Sequence, residues 1–392
     1  MTLQAAVYQH LFIIILITLF FYGFIPILGA FFVRKKWRQF RSQLMKASLY
    51  PSLSYKAVHG SQKSGLFRIF GSLQAIQDEN VLWITNEDVS VSLNLEGLPL
   101  YILSSATKDD SQIKNNIYPD ESPQRTYWSS IFSLPEKTSF FVSGELVHKD
   151  GRSKFKNSKE NPLLVIIYDC DDTEFYSHAI LSGRQRNEYW NVLTPGTLTI
   201  GSFSLFIYFY FLIQMPYMHF VAVTALSFSI VPLLPFLPPG LFFYYIYRHL
   251  WKKARIIRAE RDLLKLPLNY FTDKGELFHT NSVNLSSNSR YKCFIKSDKD
   301  AALALDKNSV FRTFSLIRSK KNRKEYFAFI AEETEQDDPM IESLVVQGNP
   351  NVLLRESTQT ARIYEIISIF SFSLGFAMNF LIFLTAITIF IR

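Results

Sequence analysis

Residues 197–247 contain no Asp, Glu, Lys or Arg. A bilayer core about 30 Å thick takes roughly 20 apolar residues as a helix. The run is therefore long enough for two crossings, with Met215, Pro216 and Tyr217 as the hairpin between them, and a wholly water-soluble chain is excluded. Cysteine is nearly absent. Cys170 and Cys293 lie in different loops without C-x-x-C spacing, which argues against a disulfide framework and a zinc module. Two reduced thiols suit a cytoplasmic placement. Also missing are H-E-x-x-H, G-x-S-x-G, the Walker loop and the dinucleotide fingerprint, so no motif assigns a reaction or a cofactor. The apolar runs hold no Asp, Glu, Lys or Arg, and His219 sits near an end. Ion and proton pathways usually need buried ionisable groups, which argues against a pump or secondary transporter.

Two further apolar runs, 11–33 and 366–391, complete a set of four. In lipid every backbone amide must be satisfied internally, so all four are expected as helices. The first has no A-x-A-like cleavage site and no Lys or Arg at its amino end, and reads as a retained anchor. Arg34, Lys35, Lys36, Arg38 and Arg41 crowd the far end of the first run. Lys252, Lys253, Arg255, Arg258 and Arg261 crowd the far end of the third. The positive-inside rule then places both long loops in the cytoplasm and the termini and hairpin outside. The expected location is a bacterial plasma (inner) membrane.

The formal net charge is +8 and the mean hydropathy only +0.07, so much of the chain lies outside the bilayer. The excess basicity is membrane-directed, since a juxtamembrane cation gains about 1 kcal/mol near anionic headgroups. The candidate headgroup and interface residues are Arg34, Lys35, Lys36, Arg184, Arg186, Trp190, Trp251, Lys252 and Lys253. Arg184 and Arg186 suit lipid phosphates, although interfacial Trp and Tyr beside a span are also ordinary anchors. Nucleic acid is not an expected partner.

The loop 34–195 reads as a β-rich domain. Segments 55–59, 65–73, 81–84, 89–95 and 98–103 alternate or run apolar between turn residues, the strand pattern. Residues 106–124 are polar and turn-rich and read as a loop or disordered insertion. Residues 138–147 read as a strand broken at Gly144, 149–152 as a hairpin turn, and 163–168 as a short buried strand. Many short strands with Gly and Asp-Gly turns suggest a small barrel or sandwich.

The loop 248–362 opens with a helix over 241–266 that Pro238 and Pro239 start and Pro267 ends. A kink is expected at 232–239. Strand-like runs follow at 277–280, 291–295, 311–317 and 326–331, with one helical turn at 300–305. The expected fold is an α+β membrane protein of four transmembrane helices and two extramembrane β-rich domains. Its segments are 1–33, 34–195, 196–247, 248–362 and 363–392. The plan of span, β domain, span occurs twice, as in membrane proteins with internal repeats, without residue-level self-similarity.

Leu134, Pro135 and Glu136, then Phe140 through Val147 (FFVSGELV), then Asp150 and Gly151, resemble the closing half of a GIDE domain. That family of membrane-anchored proteins includes mitochondrial ubiquitin ligases. The order of anchor, β-rich domain, Arg- and Trp-bearing stretch and second anchor is similar over about residues 55–215. The family's ligases carry a C-terminal RING with many Cys and His ligands. Here Cys293 is the one cysteine in the second half, so ligase activity does not transfer. The ligases also place this domain on the non-cytosolic side, against the charge argument above. The resemblance implies a membrane-tethered β domain that binds a partner.

Asp169, Asp171, Asp172 and Glu174 form the densest carboxylate cluster. Hard cations take oxygen ligands, but the run lacks the alternation and central Gly of a calcium loop, and a solvated acidic turn is the plainer reading. Residues 318–324 read as a basic hairpin tip. In the last span Ser371 and Gly375 stand one helical repeat apart, as do Ser373 and Ala377, and such small residues let helices approach closely. With no charged or strongly polar group expected in the spans, packing is expected to hold them. The expected function is a non-catalytic scaffold, adaptor or sensor, with a protein partner or a second copy as well as the bilayer. The alternatives are a membrane-face enzyme acting on lipid or peptide and an accessory subunit of a transport or secretion complex.

Overall fold

The computed structural model describes residues 3–391 apart from 56–64, 79, 87–88, 104–122, 132, 136, 150–151, 184–189, 270–290, 313–323 and 333–337. The expected strands at 55–59 and 277–280, the insertion at 106–124 and the basic run at 318–324 fall wholly or largely outside the described residues. The helices are α1 (Leu3–Thr18), α2 (Ile25–Ala47), α3 (Asp172–Ser182), α4 (Leu193–Ile213), α5 (His219–Ser229), α6 (Gly240–Asn269), α7 (Lys299–Leu303) and α8 (Pro350–Ile391). The chain divides into two compact units. One holds Met1–Arg38, Asn187–Ala254 and Ala361–Arg392, and the other Gln39–Arg186 and Arg255–Thr360.

Among the described residues three helices are long and apolar enough to cross a bilayer: Gln4–Ala47, Leu193–Ile213 and Pro350–Ile389. The third expected span, ending at Tyr247, is not one helix. Residues 219–247 comprise α5, a 3-10 segment at Val231–Phe236, and the start of α6. Prolines 232, 235, 238 and 239 lack the N–H that an α-helix needs, which breaks the helix there. Asn379 of α8 closes the gap. Its amide donates to the carbonyls of Leu234 (2.5 Å) and Leu237 (2.7 Å). Its carbonyl accepts from the Gly240 N–H (3.3 Å). In an α-helix the acceptor at Leu234 would be served by residue 238, and Pro238 has no proton to give. The expectation that no strongly polar group joins the spans is thereby corrected.

A second irregularity has the same cause. Leu19–Phe24 forms a π-helical turn between α1 and α2, where the Ile25 N–H reaches back to the Phe20 carbonyl. The next such bond would run from residue 26 to Phe21, but residue 26 is proline. The Thr197 hydroxyl of α4 donates to that carbonyl instead, at 3.0 Å. Around it the first helical run and α4 lie antiparallel, joined by His10 with Tyr208, Tyr22 with Ser202 (2.6 Å), and the Asn191 amide with the Pro26 carbonyl (3.2 Å). Backbone polar groups in hydrocarbon must find partners within the protein, and Thr197 and Asn191 supply them for the Phe21 and Pro26 carbonyls.

The second unit contains both β modules. The first comprises β1 (Gly65–Asp78), β2 (Val81–Thr85), β3 (Ser90–Asn94), β4 (Pro99–Ile102), β5 (Gln124–Tyr127), β6 (Ser139–Lys149), β7 (Arg152–Lys156) and β8 (Leu164–Tyr168). The long β1 is shared. Its first half pairs with β6, from Gly65↔Leu146 to Ser72↔Ser139. Its bulged second half pairs with β2, from Ser72↔Thr85 to Asp78↔Val81. Bulges bend a strand, and the bend closes the ring β1-β2-β3-β7-β6-β1. Within it β3 and β7 are parallel and the other pairs antiparallel. A five-stranded ring of this order is a Greek-key barrel of the OB type. Strands β8, β4 and β5 extend the sheet from β6.

Alternation along β6 decides what each face buries. Phe140 and Val142 enter the barrel core with Ile69, Leu82, Val91 and Phe155. β6 runs unbroken through Gly144, correcting the expected break there. A Cβ at Gly144 would lie 2.8 Å from Leu163 Cδ1, so the missing side chain serves close packing. On the outer face Phe70, Phe141 and Tyr168 stack with Phe175 of α3, with ring centroids 4.7 to 5.3 Å from Phe175.

The second module is a four-stranded sheet of order β10-β12-β11-β9, from β9 (Tyr291–Lys296), β10 (Val310–Arg312), β11 (Tyr326–Ala331) and β12 (Leu344–Gln347). One face packs on Leu264 and Leu268 of α6 and Leu353 of α8, and the other on Ala302 of α7. Pro267 lies inside α6, which continues to Asn269, so it does not end the helix as expected.

Candidate functional site

The two modules meet at a buried charge pair. In β1, Phe67 and Ile69 face the barrel core and the alternate Arg68 faces out. Its backbone is paired on the free side as well. The Arg68 N–H donates to the Pro51 carbonyl (3.0 Å), and the Leu53 N–H to the Arg68 carbonyl (2.7 Å). The guanidinium Nε donates to the Tyr50 carbonyl at 2.8 Å. Nη1 donates to Asp338 Oδ1 at 2.6 Å, and Nη2 donates to Asp338 Oδ2.

Asp338 is itself held in place. Its Oδ1 also accepts from the Met340 N–H (3.1 Å), and its backbone carbonyl accepts from the Ile341 N–H (2.9 Å). Arg68 is 0% exposed and Asp338 9%. The planar guanidinium fork matches a carboxylate bidentately, so each partner satisfies the other where water cannot. In the same unit, Tyr176 of α3, Leu263, Leu266 and Pro267 of α6, and Tyr291, Arg312, Glu342 and Leu344 of the second module line a crevice that includes neither Arg68 nor Asp338. Within this lining Arg312 and Glu342 form an ion pair, 2.8 Å apart.

The acidic cluster has a local structural role. Asp171 occupies the N-cap position of α3, and Asp172 and Glu174 its first turn. Carboxylates there oppose the positive end of the helix dipole. The Tyr168 hydroxyl donates to Asp172 Oδ1 at 2.5 Å; burial and then the adjacent Asp172 carboxylate raise the Tyr168 pKa. Burial first, then Glu174, Asp172, Asp171 and Asp169, push the Cys170 thiol up to about 12. Burial alone pushes Cys293 up to about 12. Among the described residues no three His, Cys, Asp or Glu side chains converge as a metal site would.

Of the expected interface residues, Arg34, Lys35, Lys36, Trp190 and Lys252 are exposed, and Trp251 and Lys253 are half-buried. The Trp251 ring lies 5.8 Å from that of Tyr247. Arg184 and Arg186 lie outside the described residues. Ser371 and Gly375 both face α6. The Ser371 hydroxyl donates to the Phe243 carbonyl at 3.4 Å, and a Cβ on Gly375 would stand 2.6 Å from Phe243 Cβ. Sequence reasoning missed Arg68, Asp338 and Asn379. Asn379 is the one amide side chain within 366–391, and that contrast was a usable signal.

Fold and site together define a helical membrane protein that carries an OB-type barrel joined to a small mixed sheet. No family model, curated protein or solved structure matches the chain.

Proposed function

We propose that this chain is a non-catalytic multi-pass membrane protein that presents its two joined β modules at one membrane face as a scaffold, adaptor or sensor. The observation that carries this reading is the Arg68–Asp338 pair. It ties residue 68 of the first loop to residue 338 of the second, so the two loops share one side of the bilayer. The segment between them, 193–247, then crosses an even number of times. Helix α4 makes one crossing, and α5, the 3-10 segment and the start of α6 make the return, giving four crossings in all. Discontinuous helices are tolerated at membrane depth where protein covers the broken backbone, and Asn379 provides that cover.

The positive clusters favour the cytoplasmic face of a bacterial inner membrane for the modules. The buried polar chemistry supports an assembly role, because it is directed inward and joins two modules into one platform. Phe140–Val147, the sharpest part of the GIDE resemblance, lies in β6, and the resemblance adds a membrane-tethered binding role. Fold alone does not carry a ligand across.

Purification of the tagged full-length protein in mild detergent, followed by native mass measurement, tests the reading. A stoichiometric protein partner or a defined homo-oligomer is expected. A bare monomer with metal-dependent turnover of lipid or peptide would replace it with the enzyme.

A further inference from the structure

We propose that the basic end of the membrane unit is a binding surface for anionic phospholipid headgroups, which it selects over zwitterionic ones. Helix α2 passes without a break from its apolar stretch into Arg34, Lys35, Lys36 and Arg38, and all four are exposed. Trp37, in their midst, is buried. Phe40, Leu44 and Ala47 continue the buried side at helical spacing, so one side of α2 is packed and the cations occupy the other.

Depth follows from helix geometry. At 1.5 Å per residue, Arg34 to Arg38 spans about 6 Å, and each headgroup layer is about 5 to 7 Å thick. On α6 the uncharged run ends at Tyr247, and Lys252 and Lys253 follow within about 9 Å. Tyr247 and Trp251 sit between, rings 5.8 Å apart, and such aromatics mark the interface.

No Asp or Glu precedes Asp78, and none lies between Tyr247 and Glu260. The start of α1, residues 3–10, and the turn between α4 and α5, residues 214–219, carry no Lys, Arg, Asp or Glu. Exposed cations at the headgroup layer attract anionic lipid, and each cation near such a surface strengthens association roughly fivefold. The inference requires only that the long apolar helices reside in a bilayer and is independent of the scaffold reading.

The full chain in phosphatidylcholine vesicles holding a minor share of phosphatidylglycerol tests it, with spin-labelled versions of each lipid reporting which is immobilised. The wild type is expected to immobilise phosphatidylglycerol severalfold over phosphatidylcholine at about 0.1 M salt, and to lose most of that preference at about 1 M. Joint Lys35→Gln, Lys36→Gln, Lys252→Gln and Lys253→Gln substitution is expected to reduce the preference by more than half, whereas Arg at the same four positions retains it. Inorganic phosphate at matched ionic strength is expected to leave the preference intact. Equal immobilisation of the two lipids by the wild type overturns the proposal. So does an undiminished preference in the Gln variant, or displacement by inorganic phosphate, which would make the surface a site for a free anion.

Discussion

Arg68 and Asp338 stand 270 residues apart in the chain and meet as a bidentate pair that is almost fully withdrawn from water. Taking two charges out of water is costly, and their mutual attraction offsets that cost only when both are present. The pair therefore makes joining of the modules all-or-none: either partner alone would be a buried, uncompensated charge.

A double-mutant cycle tests this. Arg68→Met or Asp338→Leu alone is expected to cost about 3 to 5 kcal/mol, because each strands its partner. The joint variant is expected to lose clearly less than the two added together, since it removes both charges. Denaturant unfolding of the detergent-solubilised protein, followed by tryptophan emission, gives the four values. Additive losses would mean the two side chains do not act as a pair.

Asn379 offers a similar test inside the membrane unit. Asn379→Leu keeps the volume and removes three hydrogen bonds. The Gly240 N–H then loses its partner in an apolar setting, while the Leu234 and Leu237 carbonyls keep the N–H groups of Leu237 and Leu241. The stranded N–H costs about 1 to 3 kcal/mol, partly recovered by relaxation of the 3-10 segment. A fall of several degrees in Tm is expected, with faster hydrogen exchange at Gly240 than at residues in the middle of α4. An unchanged Tm and unchanged exchange at Gly240 would show that Asn379 does not cap the break.

What the sequence disclosed depended on the range of the interactions involved. The apolar runs and most strands of the first module were legible, because hydropathy and alternation are local signals. Helix α3 was not, since its acidic first turn also reads as a loop. Strand β12 has only four residues, too few beside Gly348 and Pro350 to show an alternation, although it lies between β10 and β11 in the sheet. Arg68 alternates with Phe67 and Ile69 as a solvent-facing residue would. Its burial comes from Asp338 in the other loop, and no local pattern contains that pairing. The break at 231–239 is visible from its prolines, whereas Asn379, which covers it, lies 145 residues beyond Leu234 in the chain.

Gly375 and Phe243 provide a packing test. Since a Cβ at 375 would stand 2.6 Å from Phe243 Cβ, even Gly375→Ala must push α8 from α6, and Gly375→Leu must do so further. Overpacking of this kind costs about 1 to 3 kcal/mol. The expected order of Tm is wild type, then Ala, then Leu. Phe243→Ala is expected to restore part of the loss in the Gly375→Leu background while destabilising the wild type. A leucine at 375 without effect would place that side of α8 against lipid.

The proposed topology has the widest consequences, because both the proposed shared face and the proposed four crossings rest on it. Lys159 follows β7 in the first module and Lys307 follows α7 in the second, and both are exposed. Tyr217, also exposed, lies in the hairpin between α4 and α5. In a background lacking Cys170 and Cys293, Lys159→Cys and Lys307→Cys are expected to resist a membrane-impermeant maleimide in intact cells and react after lysis. Tyr217→Cys is expected to react before lysis. Opposite behaviour at 159 and 307 would put the two loops on different sides of the bilayer and leave three crossings. That outcome is incompatible with an Arg68–Asp338 pair, so it would remove the joined platform with the topology. Reaction at both loop sites in intact cells would keep the pair and the even number of crossings while reversing the orientation, and only the cytoplasmic assignment would fall.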